Sequence, residues 1–277
     1  MLNNIIGHDS VKISLRSALK ELPPIILFSG PKGVGKKFTA INLIDEIYKG
    51  SVKLQDHPDV KIYTPDGDTF KIGLVHEVQK DLMYTPFELD KKFFILSNVD
   101  RMNKEAANAS LKMLEDSTEN THFILTCENL ESVLSTIRSR SAIFQFYGVP
   151  NIEAHFPNIT PICAKLANGC IGNLGEIGLF DLEGKYNLSL KEFSNFDKLS
   201  YSEVLDFYKK VTYDSTTAEI LLDAFILAAQ NLADSKKYTF LKEFLDFKHK
   251  LKLNLNHETH LKLCLLNIRK LLEDKNV

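Results

Sequence analysis

The stretch from Ile25 to Phe38 constrains the fold more than any other part of this 277-residue chain. Four apolar residues, 25–28, predict a buried strand, and a glycine-rich turn and an amphipathic helix follow. The turn matches the phosphate-binding loop G-x-x-x-x-G-K, in the strand–turn–helix context that this motif requires. Gly30, Gly35 and Lys36 match the specified positions, and Gly33 is a further glycine within the loop. The N–H groups of such a loop cradle phosphates, and Lys36 would supply charge to the outer ones.

One position of the loop departs from the motif. The residue after the lysine is normally Ser or Thr, whose hydroxyl binds Mg²⁺, but this chain has Lys37. An ammonium group cannot coordinate a cation and repels it. The sequence therefore predicts a degenerate phosphate loop whose occupancy by nucleotide is doubtful.

Strands and helices alternate through the first half of the chain, which predicts an α/β fold with a parallel sheet covered on both faces. The predicted strands after the first are 59–63, 93–96, 123–125 and 142–146. After residue 147 the composition changes to short helices and an irregular connector over 181–195. From about residue 200 the chain is helical, with helices expected to start at Ser202 and Ser215. We therefore divide the chain into domains 1–147, 148–197 and 198–277.

The composition of the chain argues against several classes of protein, including membrane-spanning and secreted ones. A net charge of −2 argues against a protein that wraps nucleic acid by bulk charge. No apolar run reaches the length of a membrane span, and the N-terminus lacks the pattern of a signal peptide. The four cysteines are scattered and form no C-x-x-C pair. These features predict a cytoplasmic protein with no membrane partner.

Several blocks in the first 145 residues together resemble the clamp-loader subunits of the AAA+ class, and among them the delta-prime subunits of bacterial DNA polymerase III. Besides the phosphate loop, they are 5–8 (IIGH), 57–59 (HPD), 71–72 (KI), 85–87 (TPF), 100–103 (DRMN), 106–108 (AAN), 111–115 (LKMLE) and 137–141 (IRSRS). Beyond residue 145 the likeness is architectural, with 254–256 (NLN) as one local match. It implies an AAA+ P-loop domain, a small helical lid and an all-helical collar.

The resemblance also implies where ATP hydrolysis machinery would lie. It places the Mg²⁺-binding and water-orienting carboxylates at Ser97 and Asn98, and the arginine of the lid at Asn173. With Lys37, these are three losses, so we expect no ATP hydrolysis by the isolated chain. No cofactor is then required, although weak ATP or ADP binding stays open. No zinc is expected, because 50–56 lacks the cysteines that many relatives carry there.

One part of the machinery is intact. Arg138 and Arg140 lie in a block that resembles the serine–arginine–cysteine motif of the family. In relatives the second arginine reaches the ATP of a neighbouring subunit, and a guanidinium suits this role because its rigid fork of donors matches phosphate oxygens. The resemblance implies that Arg140 acts in trans and that Arg138 supports it. The alternative is that both arginines bridge surface carboxylates.

The expected function is that of an ATPase-inactive stator in a DNA polymerase III clamp loader. The chain would then be one subunit of a DNA-directed DNA polymerase, which is a nucleotidyltransferase, and no catalytic activity is expected of the isolated chain. The implied partners are ATPase subunits of the gamma/tau type and the delta subunit, with the sliding clamp and primed DNA reached through the complex. Two alternatives stay open: an ATP-hydrolysing AAA+ subunit that uses its own phosphate loop, and a DNA-binding protein.

Overall fold

The computed structural model describes residues 1–54, 56–65, 67, 69–115, 120–212, 218–233, 235–251 and 256–274. The chain divides into two compact units. The first contains Met1–Pro157 and Asn168–Gly172, and the second contains Asn158–Ala167 and the chain from Asn173 onward. The three-domain division at residues 147 and 197 stays a prediction.

A five-stranded sheet forms the centre of the first unit. Its strands are β1 (Ile25–Ser29), β2 (Val60–Tyr63), β3 (Lys92–Leu96), β4 (Thr121–Cys127) and β5 (Ala142–Gln145). Their order is β2-β3-β4-β1-β5, and every pair is parallel. The predicted strands and their parallel arrangement are thereby confirmed.

Strand β1 shows why the sheet needs cover on both faces. Successive side chains of a strand point to opposite faces. Ile26 and Phe28 belong to one buried cluster, and Ile25 and Leu27 belong to another. All four side chains are buried, so helices must lie on both sides.

Among the residues that the structure describes, six helices belong to the first unit. They are α1 (Asp9–Ala18), α2 (Lys36–Ile47), α3 (Ile72–Leu82), α4 (Lys104–Glu115), α5 (Ser135–Arg140) and α6 (Ile152–His155). Apolar residues of α1 and α2 join the cluster that contains Phe28, and those of α3, α4 and α5 join the cluster that contains Leu27.

The second unit is helical in the residues that the structure describes. Its helices are α7 (Pro161–Ala167), α8 (Leu174–Leu179), α9 (Leu182–Ser194), α10 (Tyr201–Val211), α11 (Ala218–Gln230), α12 (Lys236–Lys250) and α13 (His257–Asp274). Short 3₁₀ turns occur in the chain at Leu2–Asn4, Val99–Arg101, Leu130–Ser132, Ile171–Asn173 and Phe196–Lys198. None of the helices seen in these ranges is long and apolar enough to cross a membrane.

Phe193 is the centre of the core of the second unit. Its side chain is fully buried, and its ring lies 4.3 Å, centroid to centroid, from that of Phe240 in a stacked arrangement. Four other phenylalanine rings surround it within 6 Å: Phe196, Phe207, Phe225 and Phe244. These residues come from four helices and a 3₁₀ turn, so one aromatic cluster joins most of the unit.

The predicted irregular connector over 181–195 is wrong, because 182–194 form helix α9. The Asp181 side chain caps this helix by accepting a hydrogen bond from the Gly184 N–H. Leu182, Tyr186 and Phe193 are buried on one face. Gly184 and two serines interrupt the apolar pattern in the sequence, and burial against the aromatic core outweighs their low helix propensity.

The helix predicted to begin at Ser202 begins at Tyr201. Ser200 caps it in a reciprocal pair with Glu203, and this capping box fixes the start one residue before the predicted one. The start predicted at Ser215 lies outside the described residues, as do 254–255 of the local match at 254–256.

Asp59 joins two of the sequence blocks that suggested the family. Its carboxylate, 1% exposed, accepts hydrogen bonds from the N–H groups of Phe87, Glu88 and Leu89 at 2.7, 2.7 and 2.9 Å. Burial acts to raise the pKa of Asp59, but the three donors outweigh it and hold the pKa below its ordinary value of 3.8. The loop after α3 is therefore fixed by one buried charge.

We expect Asp59→Asn to destabilise the first unit by about 2–4 kcal/mol, because an amide oxygen replaces a carboxylate that accepts three hydrogen bonds. Since the pKa is depressed in the folded state, this contribution is present above pH 3.8 and is lost as the pH falls through the folded-state pKa. Urea unfolding at pH 7 and at lower pH measures both effects. Glu131→Gln, at an exposed carboxylate, should stay within about 0.5 kcal/mol of the wild type; equal losses in the two variants would contradict the assignment.

In the second unit, Phe193→Ala should cost about 3–5 kcal/mol, because it leaves a cavity among five aromatic rings. Chemical unfolding followed by circular dichroism measures the loss. Tyr238, on α12, is 68% exposed, so Tyr238→Ala provides a control of similar size and should have little effect. A small loss in Phe193→Ala would mean that this cluster does not hold the unit together.

Candidate nucleotide site and arginine motif

The phosphate loop follows β1 at the carboxyl edge of the sheet. Phe146, after β5, donates its N–H to the Ser29 carbonyl at 2.7 Å, and Gly30 donates its own to the Cys127 carbonyl at 3.2 Å. Gly30 has φ of 154°, and a Cβ atom there would lie 2.5 Å from the Phe146 carbonyl oxygen. Only glycine fits this close approach between the loop and β5.

Lys36 is turned back onto its own loop. Its ammonium group donates to the carbonyls of Gly30 at 2.6 Å and Pro31 at 2.8 Å, and the residue is 7% exposed. Burial lowers the pKa of Lys36, while the nearby carboxylate of Glu128 acts in the opposite direction. The charge that would neutralise phosphate is thus satisfied by backbone oxygens of the loop.

The segment 168–172 packs on the same loop. The Gly172 N–H donates to the Gly33 carbonyl at 2.8 Å, and a Cβ atom on Gly172 would lie 2.9 Å from that oxygen. Cys170 is buried in the cluster that contains Val34. The loop therefore has backbone contacts both with the sheet and with a segment more than 130 residues later in the chain.

The two positions at which the resemblance places catalytic carboxylates lie at the end of β3. Ser97 is 5% exposed, and its hydroxyl accepts a hydrogen bond from Thr64 Oγ1 at 3.3 Å. Asn98 has φ of 57°, and its N–H donates to Thr126 Oγ1 at 3.1 Å. Neither side chain is a carboxylate, and Lys37 of the loop is exposed. The usual means of holding and using Mg²⁺ are therefore missing from these three positions.

Two carboxylates near Lys36 have other partners. Asp100 Oδ2 accepts the N–H groups of Glu128 and Asn129 at 3.1 and 3.0 Å. Glu128 Oε1 lies 3.4 Å from Arg101 Nη2. Within the described residues, no group of three or more His, Cys, Asp or Glu side chains could hold a metal ion.

A cavity of about 710 Å³ adjoins the phosphate loop, and the sequence analysis did not predict it. It is lined by Ile5–Lys12, Gln145, Tyr147–Pro150 and His155. His8 Nε2 lies 3.1 Å from the Val34 carbonyl oxygen, which joins the cavity wall to the loop. Burial lowers the pKa of His8, so its ring is neutral at pH 7 and Nε2–H donates to that oxygen. The block at residues 5–8 is the sequence feature that could have indicated this cavity. The rest of the lining comes from residues at and after the end of β5, and the sequence does not show that the two segments meet.

Both arginines of the 137–141 block make ion pairs on the protein surface. Arg138 Nη1 lies 3.0 Å from Glu131 Oε1, and Arg140 Nη2 lies 2.8 Å from Glu115 Oε1. Arg140 is the last residue of α5, and 46% of its side chain is exposed. The pairing matches the alternative expected for these residues, while the exposure leaves the Arg140 guanidinium accessible to a second molecule.

Asn173, where the resemblance placed a lost lid arginine, ends the 3₁₀ turn Ile171–Asn173 and precedes α8. Its side chain makes no capping hydrogen bond. Asn173 belongs to the second unit, whereas Gly172 and the phosphate loop belong to the first. Its proposed correspondence with that arginine stays a prediction.

Comparison with known proteins identifies relatives over the first half of the chain. A family model described as "DNA polymerase III, delta subunit" matches residues 8–150. The DNA polymerase III subunit delta' of Bacillus subtilis is 31% identical over an aligned region of 168 positions, which covers 54% of this chain and 51% of that protein. A replication factor C small subunit of Saccharolobus solfataricus is 30% identical over 149 residues, 53% of this chain and 44% of that protein. The chain thus spans about half the length of these relatives.

A solved structure extends the likeness of the fold. The DNA polymerase III gamma subunit-related protein of Thermotoga maritima superposes with a TM-score of 0.61 at 20% identity, and the match covers 95% of this chain and 99% of that one. The parallel sheet and the helical second unit therefore have the AAA+-type architecture that the sequence predicts.

Gly172→Ala should loosen the segment 168–172 from the phosphate loop, because the added methyl group meets the Gly33 carbonyl at 2.9 Å. Hydrogen exchange should then become faster at residues 170–173 and 30–36. The control is Gly175→Ala, since a Cβ atom at Gly175 meets nothing within 4 Å. Unchanged exchange in Gly172→Ala would show that the contact does not hold the loop.

Proposed function

This chain belongs to the DNA polymerase III delta-subunit family of AAA+ clamp-loader proteins, and we propose that it is an ATPase-inactive stator, of the delta-prime type, in a clamp-loader complex. In this role it hydrolyses no ATP itself. It supplies Arg140 to the ATP site of a neighbouring subunit, so that loading of the sliding clamp on primed DNA is coupled to hydrolysis. Its location would be the cytoplasm.

The observation that carries the proposal is the end of β3, where the chain has Ser97 and Asn98 at the positions to which the resemblance assigns the two carboxylates that hydrolysis needs. Ser97 is buried with Thr64 as its partner, and the backbone of Asn98 is held by Thr126. Of the two carboxylates whose charges act on Lys36, Asp100 accepts two backbone N–H groups and Glu128 pairs with Arg101.

Arg140 supports the second half of the proposal. It ends a helix whose Ile137 is 2% exposed, so the backbone beneath the guanidinium is fixed while the side chain reaches solvent. An exposed ion pair is worth only about 0.2–1 kcal/mol. A triphosphate, which offers bidentate oxygens and a larger charge, can therefore displace Glu115. Arg138 is the supporting arginine.

The partners in this proposal are ATPase subunits of the gamma/tau type, the delta subunit, the sliding clamp and primed DNA. Residues 198–277 would hold the chain in a hetero-pentamer as an all-helical collar. The lid between residues 148 and 197 stays part of the proposal. As a member of such a complex, the chain would be one subunit of a DNA-directed DNA polymerase, and no cofactor or zinc ion would be needed for its own role.

The competing function is that of an ATP-hydrolysing clamp-loader subunit that uses its own phosphate loop. The cavity beside the loop favours it, because apolar residues such as Ile5 and Val149 and polar ones such as Gln145 could accommodate a nucleoside. The same cavity also allows weak ATP or ADP binding without hydrolysis. Turnover by the isolated chain with Mg²⁺-ATP separates the two functions, since hydrolysis abolished by Lys36→Ala would reject the stator.

We expect Arg140→Ala to lower hydrolysis at the adjoining ATP site by about 10³-fold or more, the usual contribution of an arginine finger, and to reduce clamp loading. The assay is DNA-stimulated hydrolysis by the complex reconstituted with its ATPase and delta-type subunits. Arg140→Lys should restore little, because an ammonium lacks the bidentate fork. Lys36→Ala, checked for folding, should retain most of the activity. Full activity of Arg140→Ala in an intact complex would refute the proposal.

A further inference from the structure

Glu115 and Arg140 are brought together by the core of the first unit. Glu115 is the last residue of α4, and Arg140 is the last residue of α5. The neighbours that anchor them, Met113, Leu114 and Ile137, are all buried in one cluster. The backbones at both residues are therefore fixed, while the charged ends lie at the surface with 50% and 46% of their side chains exposed.

The guanidinium of Arg140 uses two nitrogens within the chain. Nη2 lies 2.8 Å from Glu115 Oε1, and Nη1 donates to the Thr136 carbonyl at 3.1 Å. The second contact lies within α5 and does not neutralise charge. The carboxylate of Glu115 does, and it competes directly with any anion that approaches the same guanidinium.

We propose that Glu115 is an intramolecular competitor that holds Arg140 in place until the triphosphate of a neighbouring subunit displaces it. This inference rests on the proposed function of Arg140. The contact with Thr136 can persist during the exchange and keeps the fork close to its initial orientation. Glu115 thereby sets how readily Arg140 becomes available, and it takes no part in the reaction itself.

The competition must be modest in size. The interaction energies that double-mutant cycles give for exposed ion pairs change an equilibrium constant by about 1.4- to 5-fold. Removal of the competitor should therefore raise kcat/KM for ATP at the adjoining site by a factor in this range. The effect should decrease as salt is raised, because both groups are half exposed and screening weakens the pair.

The test is Glu115→Gln in the complex reconstituted with its ATPase and delta-type subunits. The substitution keeps the size of the side chain and removes its charge. We expect kcat/KM for DNA-stimulated ATP hydrolysis to rise about 1.4- to 5-fold at low salt. In the Arg140→Ala background the same substitution should have no further effect, because the competition needs the guanidinium.

Asp223→Asn is the matched control. Asp223 and Lys248 form an ion pair of the same length, 2.8 Å, with side chains 58% and 52% exposed. This variant should leave kcat/KM unchanged, and mass photometry should find both variants assembled like the wild type. A thermal melt identifies any loss of folding.

The outcomes distinguish this inference from the proposed function. If Arg140→Ala impairs hydrolysis but Glu115→Gln leaves kcat/KM unchanged or lowers it, the competition is wrong and the stator role stands. A rise that persists in the Arg140→Ala background also contradicts the competition. If Arg140→Ala has no effect in the same assay, the proposed function itself fails.

Discussion

The close approach of β1 to β5 at the carboxyl edge of the sheet is the constraint on which the rest of the first unit depends. Phe146 bonds to the Ser29 carbonyl, and its own carbonyl lies where a side chain at residue 30 would have to be. The chain must therefore turn at a glycine directly after a strand buried on both faces. This turn fixes the phosphate loop, the start of α2 and one boundary of the adjoining cavity.

The charges at the two ends of the sheet are arranged in two different ways. Lys36 is buried and satisfied by loop carbonyls, and Asp100 accepts two backbone N–H groups. Arg140, by contrast, is half exposed in an ion pair of small expected strength. Groups of the first kind are costly to separate because their surroundings exclude water, whereas the second can exchange partners cheaply. This difference supports the proposal that the buried Lys36 stabilises the phosphate loop of this chain, whereas Arg140 is available to another subunit.

Each unit also has an organising buried residue that connects distant parts of the sequence. In the first, Asp59 holds the loop at 87–89 by three hydrogen bonds. In the second, Phe193 contacts Phe240 and Phe244, which lie 47 and 51 positions later in the chain. The contacts of Asp59 are polar and directional, and those of Phe193 are apolar. In both cases long-range contacts outweigh the local conformational preferences of the sequence. Helix α9 forms despite Gly184 for this reason.

The sequence by itself determined the strand–loop–helix of the phosphate loop, the departure of that loop from its motif at Lys37, and the parallel sheet. These follow from local periodicity and from residue chemistry, which need no knowledge of distant contacts. Only the tertiary structure decided that Lys36 turns onto its own loop, that 168–172 packs on Gly33, and that Glu115 meets Arg140. Each of these depends on side chains from separate elements brought together by the packing of the core, and no spacing in the sequence encodes such a distance.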